Sequence, residues 1–212
     1  ANARIVYGST EAEPISDVSL DDYLTEEKEG YLVGHVASQI DLLISNVGDS
    51  AEHGEAITEE ALFAHECKSE EIGEILVSGH HVLKQYIDNP EANRENKIPR
   101  KGVEATKSVW HRTGDCGYQD QEGRLWLSGR IKDVLNVNGQ AIQPFPVEQK
   151  LDQENSIKRA AIIQHDGQII LFVQTLDSPN KSELIQRITS IVATYFSVAG
   201  ITNIQYIEMA NM

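Results

Sequence analysis

Basic residues are scarce in this chain: 18 lysines and arginines stand against 33 aspartates and glutamates, a formal net charge of −15. Proteins that grip a nucleic-acid backbone gain affinity by releasing counterions with clustered cations. The acidic balance therefore excludes nucleic acid as a partner. It leaves room for a single nucleotide, which needs only a few local donors. Cysteine is nearly absent. Cys67 and Cys116 lie far apart with no CxxC spacing, which reads as two reduced, partly buried thiols in a reducing compartment, with a disulfide as the alternative. Long apolar runs are missing too: none approaches the roughly 20 residues that span a bilayer, and the first residues lack a signal-peptide layout. These absences together lead us to expect a soluble cytoplasmic protein without a membrane span. His80-His81, and the alternating His65 and Cys67, have no second ligand pair at metal spacing, so they read as solvated or packed side chains rather than zinc ligands.

What is present looks like a globular chain of 212 residues with 40% hydrophobic content, enough for one full domain or two small ones. The chain starts abruptly, with Ile5-Val6-Tyr7 reading as the end of a buried strand, and this leads us to expect a piece of a longer protein. Strand-like runs follow at Gly34-His35-Val36, Ile40–Ile44 and Gly73–Gly79. A hairpin is expected over Tyr118–Leu127, with Asp120-Gln121-Glu122-Gly123 as its turn. After Gly129 the texture changes. Pro146–Gln153 predicts a short helix, and Ala160–Ile163 and Ile169–Val173 predict strands joined through His165-Asp166-Gly167. Lys181–Phe196 predicts the best helix, with an apolar stripe of Leu184, Ile185, Ile188, Ile191, Val192 and Tyr195 and a Ser178-Pro179 start. Ile204–Ile207 predicts a last strand. The expected fold class is α+β, a β-rich barrel-like unit over residues 1–128 followed by a small α+β unit over 129–212.

Three clusters carry possible chemistry. In Tyr7-Gly8-Ser9-Thr10-Glu11, glycine after a strand lets backbone approach a ligand closely. Tyr7 offers a flat face for a base, Thr10 a hydroxyl for phosphate, and Glu11 a hard oxygen for Mg²⁺. In Trp110-His111-Arg112-Thr113-Gly114-Asp115, the Asp115 carboxylate can accept two hydrogen bonds from a ribose diol. In Gly129-Arg130-Ile131-Lys132-Asp133-Val134, continuing to Gly139, Arg130 is a permanent cation suited to phosphate or ribose oxygens. Singly, the first two read better as ordinary turns, and the third reads equally well as a solvated linker.

In order and spacing, and with Gly73–Gly79 continuing through Tyr86-Ile87-Asp88-Asn89-Pro90-Glu91, they closely resemble the AMP-forming adenylating superfamily over nearly the whole chain. That family includes acyl-CoA synthetases, peptide-synthetase adenylation domains and luciferases. The resemblance implies an ATP-dependent ligase that activates a carboxylic acid as its acyl-adenylate and passes it to CoA or a carrier-protein pantetheine, with ATP/AMP and Mg²⁺ bound. It implies that Tyr7 stacks on adenine beside Gly8, Thr10 meets the α-phosphate, Glu11 helps hold Mg²⁺, Asp115 binds the ribose hydroxyls and Arg130 contacts ribose or phosphate. Lys132 falls at the family's hinge, Gly139 in the loop that lines the pantetheine tunnel, and Gly73–Glu91 in a mainly structural element.

Two of the family's parts lie elsewhere in its pattern: a phosphate loop upstream of the tyrosine motif, and an adenylation lysine after the strand matching Ile204–Ile207. The chain given is therefore expected to be inactive alone. Gln143-Pro144-Phe145-Pro146-Val147-Glu148 departs from the usual acyl-CoA synthetase pattern and is loosely similar to olefin-pathway β-lactone synthetases, so the acceptor stays open. The alternative reading is a non-catalytic nucleotide-binding or interaction module on the same fold.

Overall fold

The structure, a computed structural model, describes residues 3–26, 28–46, 57–137, 140–176, 180–196 and 204–209. The chain forms two compact units, Ala1–Ile131 and Lys132–Met212, and its class is α+β.

The first unit is built on one mostly antiparallel sheet. Its strands are β1 (Arg4–Ser9), β2 (Ala12–Ser19), β3 (Tyr31–Val36), β4 (Ile40–Ser45), β5 (Gly73–Gly79), β6 (Lys97–Pro99), β7 (Val109–Gln119) and β8 (Arg124–Arg130). They pair in the order β1-β2-β3-β8-β7-β5-β4, with β6 added alongside β7. Among the described residues this path has two ends, at β1 and β4. Short helices α1 (Leu20–Thr25), α2 (Glu59–Ala64) and α3 (Pro90–Asn96) fill the connections. Each begins at a side-chain cap, Ser19, Thr58 or Asn89, that accepts a backbone N–H three residues on. Such caps satisfy donors a short helix cannot satisfy itself.

Strand β5 explains why the sheet forms where it does. Its glycine-bounded apolar run is buried along its whole length, and Ile75, Leu76 and Val77 are fully enclosed. Burying each such aliphatic side chain is worth about 1.5–3 kcal/mol. Two polar residues interrupt the run: Ser78, whose hydroxyl donates to the Lys107 carbonyl, and Glu74, 2% exposed. A buried carboxylate is tolerable only when paired, and the Arg112 guanidinium forks onto it with contacts of 2.7–3.0 Å.

The expected hairpin is present. Strands β7 and β8 face each other across Asp120–Gly123, with Asp115 opposite Arg130 in register. The Asp120 carboxylate closes the turn by accepting from the backbone N–H groups of Glu122 and Arg124, from the Arg124 guanidinium and from the Trp126 indole.

In the second unit, strands β9 (Leu135–Val137) and β10 (Gln140–Ile142) form a two-stranded ribbon. Helix α4 (Phe145–Asp152) precedes β11 (Ile157–His165) and β12 (Gln168–Thr175), which pair antiparallel. Helix α5 (Lys181–Phe196) leads to β13 (Ile204–Met209), which pairs parallel to β12. Val147 and Leu151 of α4, and Leu184, Ile188 and Val192 of α5, share one apolar cluster with Ile162, Leu171 and Val173 of the sheet. Ile185, counted in the stripe from its spacing, is instead 44% exposed, because the buried face narrows to positions four apart. Helix α4 is also tied down by its acids: Glu148 accepts from the Ile162 N–H and Asp152 from the Ala160 N–H. The Ser178-Pro179 start lies outside the described residues. No helix among the described residues is long and apolar enough to cross a membrane.

Candidate functional site

Tyr7 pairs with Ser16 near the end of β1, just before a register shift between Tyr7 and Ser9. The turn that follows is tight. A Cβ at Gly8 would sit 2.8 Å from the Ala12 carbonyl, so glycine is required there by space. Thr10 stands exposed at the tip. Glu11 folds back under it, its backbone N–H donating to the Ser9 hydroxyl at 3.2 Å.

The Tyr7 ring is only 8% exposed and joins the apolar cluster of Ile15, Val33, Ile75 and Leu125. Its hydroxyl donates to Asp115 at 2.8 Å. Burial, and then the Asp115 charge, push the phenol well above its ordinary range. The other Asp115 oxygen accepts from the Arg130 guanidinium at 2.7 Å. Cross-strand register places those two residues opposite each other. Gly114 adopts φ +73°, and the nearest atom to a Cβ there would be the Arg130 guanidinium at 3.9 Å. The left-handed backbone, which glycine adopts without strain, turns Asp115 onto the site. Its backbone N–H is then held by the Thr113 hydroxyl, itself donating to the Ile75 carbonyl. The ion pair is lopsided: the Arg130 side chain is 53% exposed and that of Asp115 14%.

The structure thus gathers Tyr7, Asp115 and Arg130 from three strands into direct hydrogen-bond contact, and seats Gly8, Thr10 and Glu11 on the turn that follows Tyr7. Lys132 is exposed in the short 3-10 turn Ile131–Asp133, at the first residue of the second unit. Gly139 lies outside the described residues.

A second set of side chains, to which the sequence assigned no site role, meets Glu11. The Tyr86 hydroxyl donates to Glu11 Oε1 at 3.1 Å, and the Leu83 N–H donates to the Glu11 carbonyl at 2.7 Å. Lys97 lies 4.9 Å above the Tyr86 ring and is 6% exposed, and its ammonium donates to the Leu83 carbonyl at 2.7 Å. Burial pushes that ammonium down to about 8, with Glu11 opposing and Lys84 reinforcing the shift. His111, also buried, has Nδ1 3.3 Å from the Asn96 carbonyl. Burial and then the Lys97 charge bring it down to about 4, so it is neutral at ordinary pH. Burial by itself would raise the Glu11 carboxyl. Its own backbone N–H and the Ser9 and Tyr86 hydroxyls outweigh that and hold it below the usual carboxylate range. Glu11 is therefore an ionised, half-buried oxygen donor. Among the described residues no group of three or more His, Cys, Asp or Glu side chains is arranged to hold a metal ion. A lone carboxylate of this kind suits Mg²⁺, which keeps much of its water and leans on substrate phosphates; it does not suit a metal that needs a closed protein cage.

No family model matches the chain. Over 105 residues, half of the chain and 19% of the relative, it is 37% identical to the Bacillus subtilis protein YdaB. Over 191 residues, 85% of the chain and 32% of the relative, it is 29% identical to an indoleacetate–CoA ligase of Aromatoleum aromaticum. Its fold is shared with the O-succinylbenzoate coenzyme A synthetase MenE of Bacillus subtilis, solved in complex with AMP: TM-score 0.68 at 21% identity, over 97% of this chain and 37% of that one. The chain spans about a third or less of the length of the curated relatives it matches. Motif order, fold and relatives thus agree in likening the chain to the AMP-forming adenylating superfamily.

Proposed function

We propose that this chain forms the adenosine- and metal-facing part of an ATP-dependent ligase that activates a carboxylic acid. The substrate carboxylate attacks the α-phosphate, pyrophosphate leaves, and the acyl-adenylate passes to the thiol of CoA or of a carrier-protein pantetheine. Residues 1–128 serve as the end of the large adenylating domain and 129–212 as the small mobile domain.

One observation carries the reading. Tyr7, Asp115 and Arg130 converge through hydrogen bonds of 2.7–2.8 Å, with the ionised Glu11 four residues beyond Tyr7. Adenine packs at Tyr7. The ribose hydroxyls donate to Asp115, and Arg130 then turns from Asp115 to the ribose or phosphate oxygens. Thr10, exposed at the turn, donates to the α-phosphate. Glu11 would hold Mg²⁺, whose charge would offset that of the phosphate oxygens. Lys132 acts as the hinge about which the second unit turns between the two half-reactions, and Gly139 lines the acceptor path. Each protein group binds, orients or balances charge. Catalysis of this kind rests on positioning and electrostatics.

The test is ATP–pyrophosphate exchange by the complete gene product with a panel of fatty, aryl and amino acids. Acid-dependent exchange is expected. Its absence from a protein that still binds ATP would overturn the ligase reading. The chain as given is expected to show no exchange above background and to bind ATP at about millimolar or weaker, since a few open contacts do not offset the entropy of association.

A further inference from the structure

The resemblance assigns the stretch from Gly73 to Glu91 a structural part. The structure gives one residue within it a different task. Tyr86 is fixed from every side. Its backbone N–H donates to the Asn93 side-chain oxygen at 2.7 Å, and its carbonyl accepts from the Asn93 amide nitrogen at 2.8 Å. Asn93 itself rides on α3, anchored by the Asn89 cap and Pro90. The ring lies under the buried Lys97 ammonium. Lys97 and Lys84 in turn hold the approach to Tyr86 by donating to the carbonyls of Leu83, Gly79 and Val82 at 2.5–2.7 Å. The one polar group of Tyr86 that this clamp leaves over is the hydroxyl, and it points at Glu11 Oε1.

Glu11 is correspondingly pinned at both ends, main chain to Leu83 and carboxylate to Tyr86. A glutamate on a turn has free rotation about three side-chain bonds, and ordering such a side chain costs up to about 2 kcal/mol. A carboxylate has about four lone-pair directions, and the Tyr86 hydroxyl occupies one, leaving acceptor capacity for a cation. Lys97, only 6% exposed, is too enclosed to meet a ligand itself; its part is to hold the ring.

We propose that Tyr86 is the positioning residue that pre-orients Glu11 for the divalent cation accompanying the nucleotide, with Asn93 and Lys97 holding Tyr86 in place. This rests on the proposed function, in which Glu11 is the cation ligand.

The experiment compares wild type, Tyr86→Phe, Glu11→Gln and the double variant of the complete gene product. Mn²⁺ binding in the presence of a non-hydrolysable ATP analogue is followed by electron paramagnetic resonance, and the Mg²⁺ dependence of pyrophosphate exchange is followed in parallel. Tyr86→Phe keeps the ring beneath Lys97 and removes only the hydroxyl. It is expected to weaken Mn²⁺ binding by about tenfold or more, the worth of one hydrogen bond to a charged group. The Mg²⁺ needed for half-maximal exchange should rise by a similar factor, and saturating Mg²⁺ should restore the rate. Glu11→Gln should weaken Mn²⁺ binding further, and in that background Tyr86→Phe should add little, the mark of two residues acting as one. Wild-type Mn²⁺ affinity in Tyr86→Phe, with Glu11→Gln impaired, overturns the positioning role and leaves the functional reading standing. Unchanged affinity in Glu11→Gln overturns both. A purely structural tyrosine would lower the melting temperature without moving Mn²⁺ affinity. If Tyr86→Phe fails to fold, Asn93→Ala, which frees the Tyr86 backbone and keeps the hydroxyl, carries the same expected loss and the same overturning result.

Discussion

Asp115 serves two neighbours of opposite character, and its substitution should show both. The Tyr7 contact is mostly buried, the Arg130 contact mostly wet. Replacing Asp115 by Ala strands the Tyr7 hydroxyl in an apolar cluster, at a cost of about 1–3 kcal/mol in urea unfolding. Arg130→Gln should cost less than about 1 kcal/mol, because an exposed ion pair contributes little. In the complete gene product, Asp115→Ala should also weaken ATP binding about tenfold or more, measured by calorimetry, since a hydrogen bond to a charged group is worth about 1.5–3 kcal/mol. An unchanged nucleotide dissociation constant would remove Asp115 from the site. Tyr7, Glu11, Asp115 and Arg130 could be picked out of the sequence because motif order groups them. Tyr86 could not. It meets Glu11 across 75 residues of chain, a pairing that neither periodicity nor spacing encodes, and a lysine buried over its ring contradicts the surface role that composition assigns to lysine.

The hairpin of β7 and β8 depends on Asp120 more than on its turn glycine. Its side chain is fully enclosed. Burial would raise the carboxyl, but the Trp126 indole, the Arg124 N–H and the Arg124 guanidinium outweigh it and hold it at about 2. A carboxyl depressed in the folded state stabilises the fold above its unfolded value of about 4. That stability is lost as pH falls from about 4 to about 2, so acid unfolding of the wild type should steepen in that window. Asp120→Ala should flatten the window and lower stability at pH 7 by about 1–3 kcal/mol, because the buried Trp126 indole and the turn's backbone N–H groups lose their acceptor. An unaltered acid limb in the variant would show that another group controls it. This hairpin was legible because turn residues sit between two apolar runs. Strand β2 was not, because Pro14 interrupts its alternation, and only part of its edge pairs with β3, at Ser16 and Asp17. Helix α3 was missed because Pro90–Asn96 has no apolar stripe; its cap and first-turn proline were the signals available.

The chain divides between Ile131 and Lys132, and Lys132 is exposed there. Proline fixes φ near −65°, so a residue that must change its backbone angles between two poses would be held in one. In the complete gene product, Lys132→Pro should impair thioester formation by more than tenfold while leaving pyrophosphate exchange within a few fold, the two steps being assayed separately. Equal losses in both would mean that Lys132 is not a hinge. The pairing of β3 with β8 bears on the birth of the protein as well as on its finished form. These strands lie roughly ninety residues apart, and β8 is the link through which the hairpin carrying Tyr7 joins the rest of the sheet. At about 5–20 residues per second, a ribosome needs roughly 5–20 s to make the chain between them. Through that interval β1, β2 and β3 wait on the growing polypeptide with the β3 edge unpaired, the condition in which strands stick to the wrong neighbours. Tyr7 and Asp115 meet only near the end of it, so slowing translation between β3 and β8 should lengthen the exposure and lower the yield of folded protein.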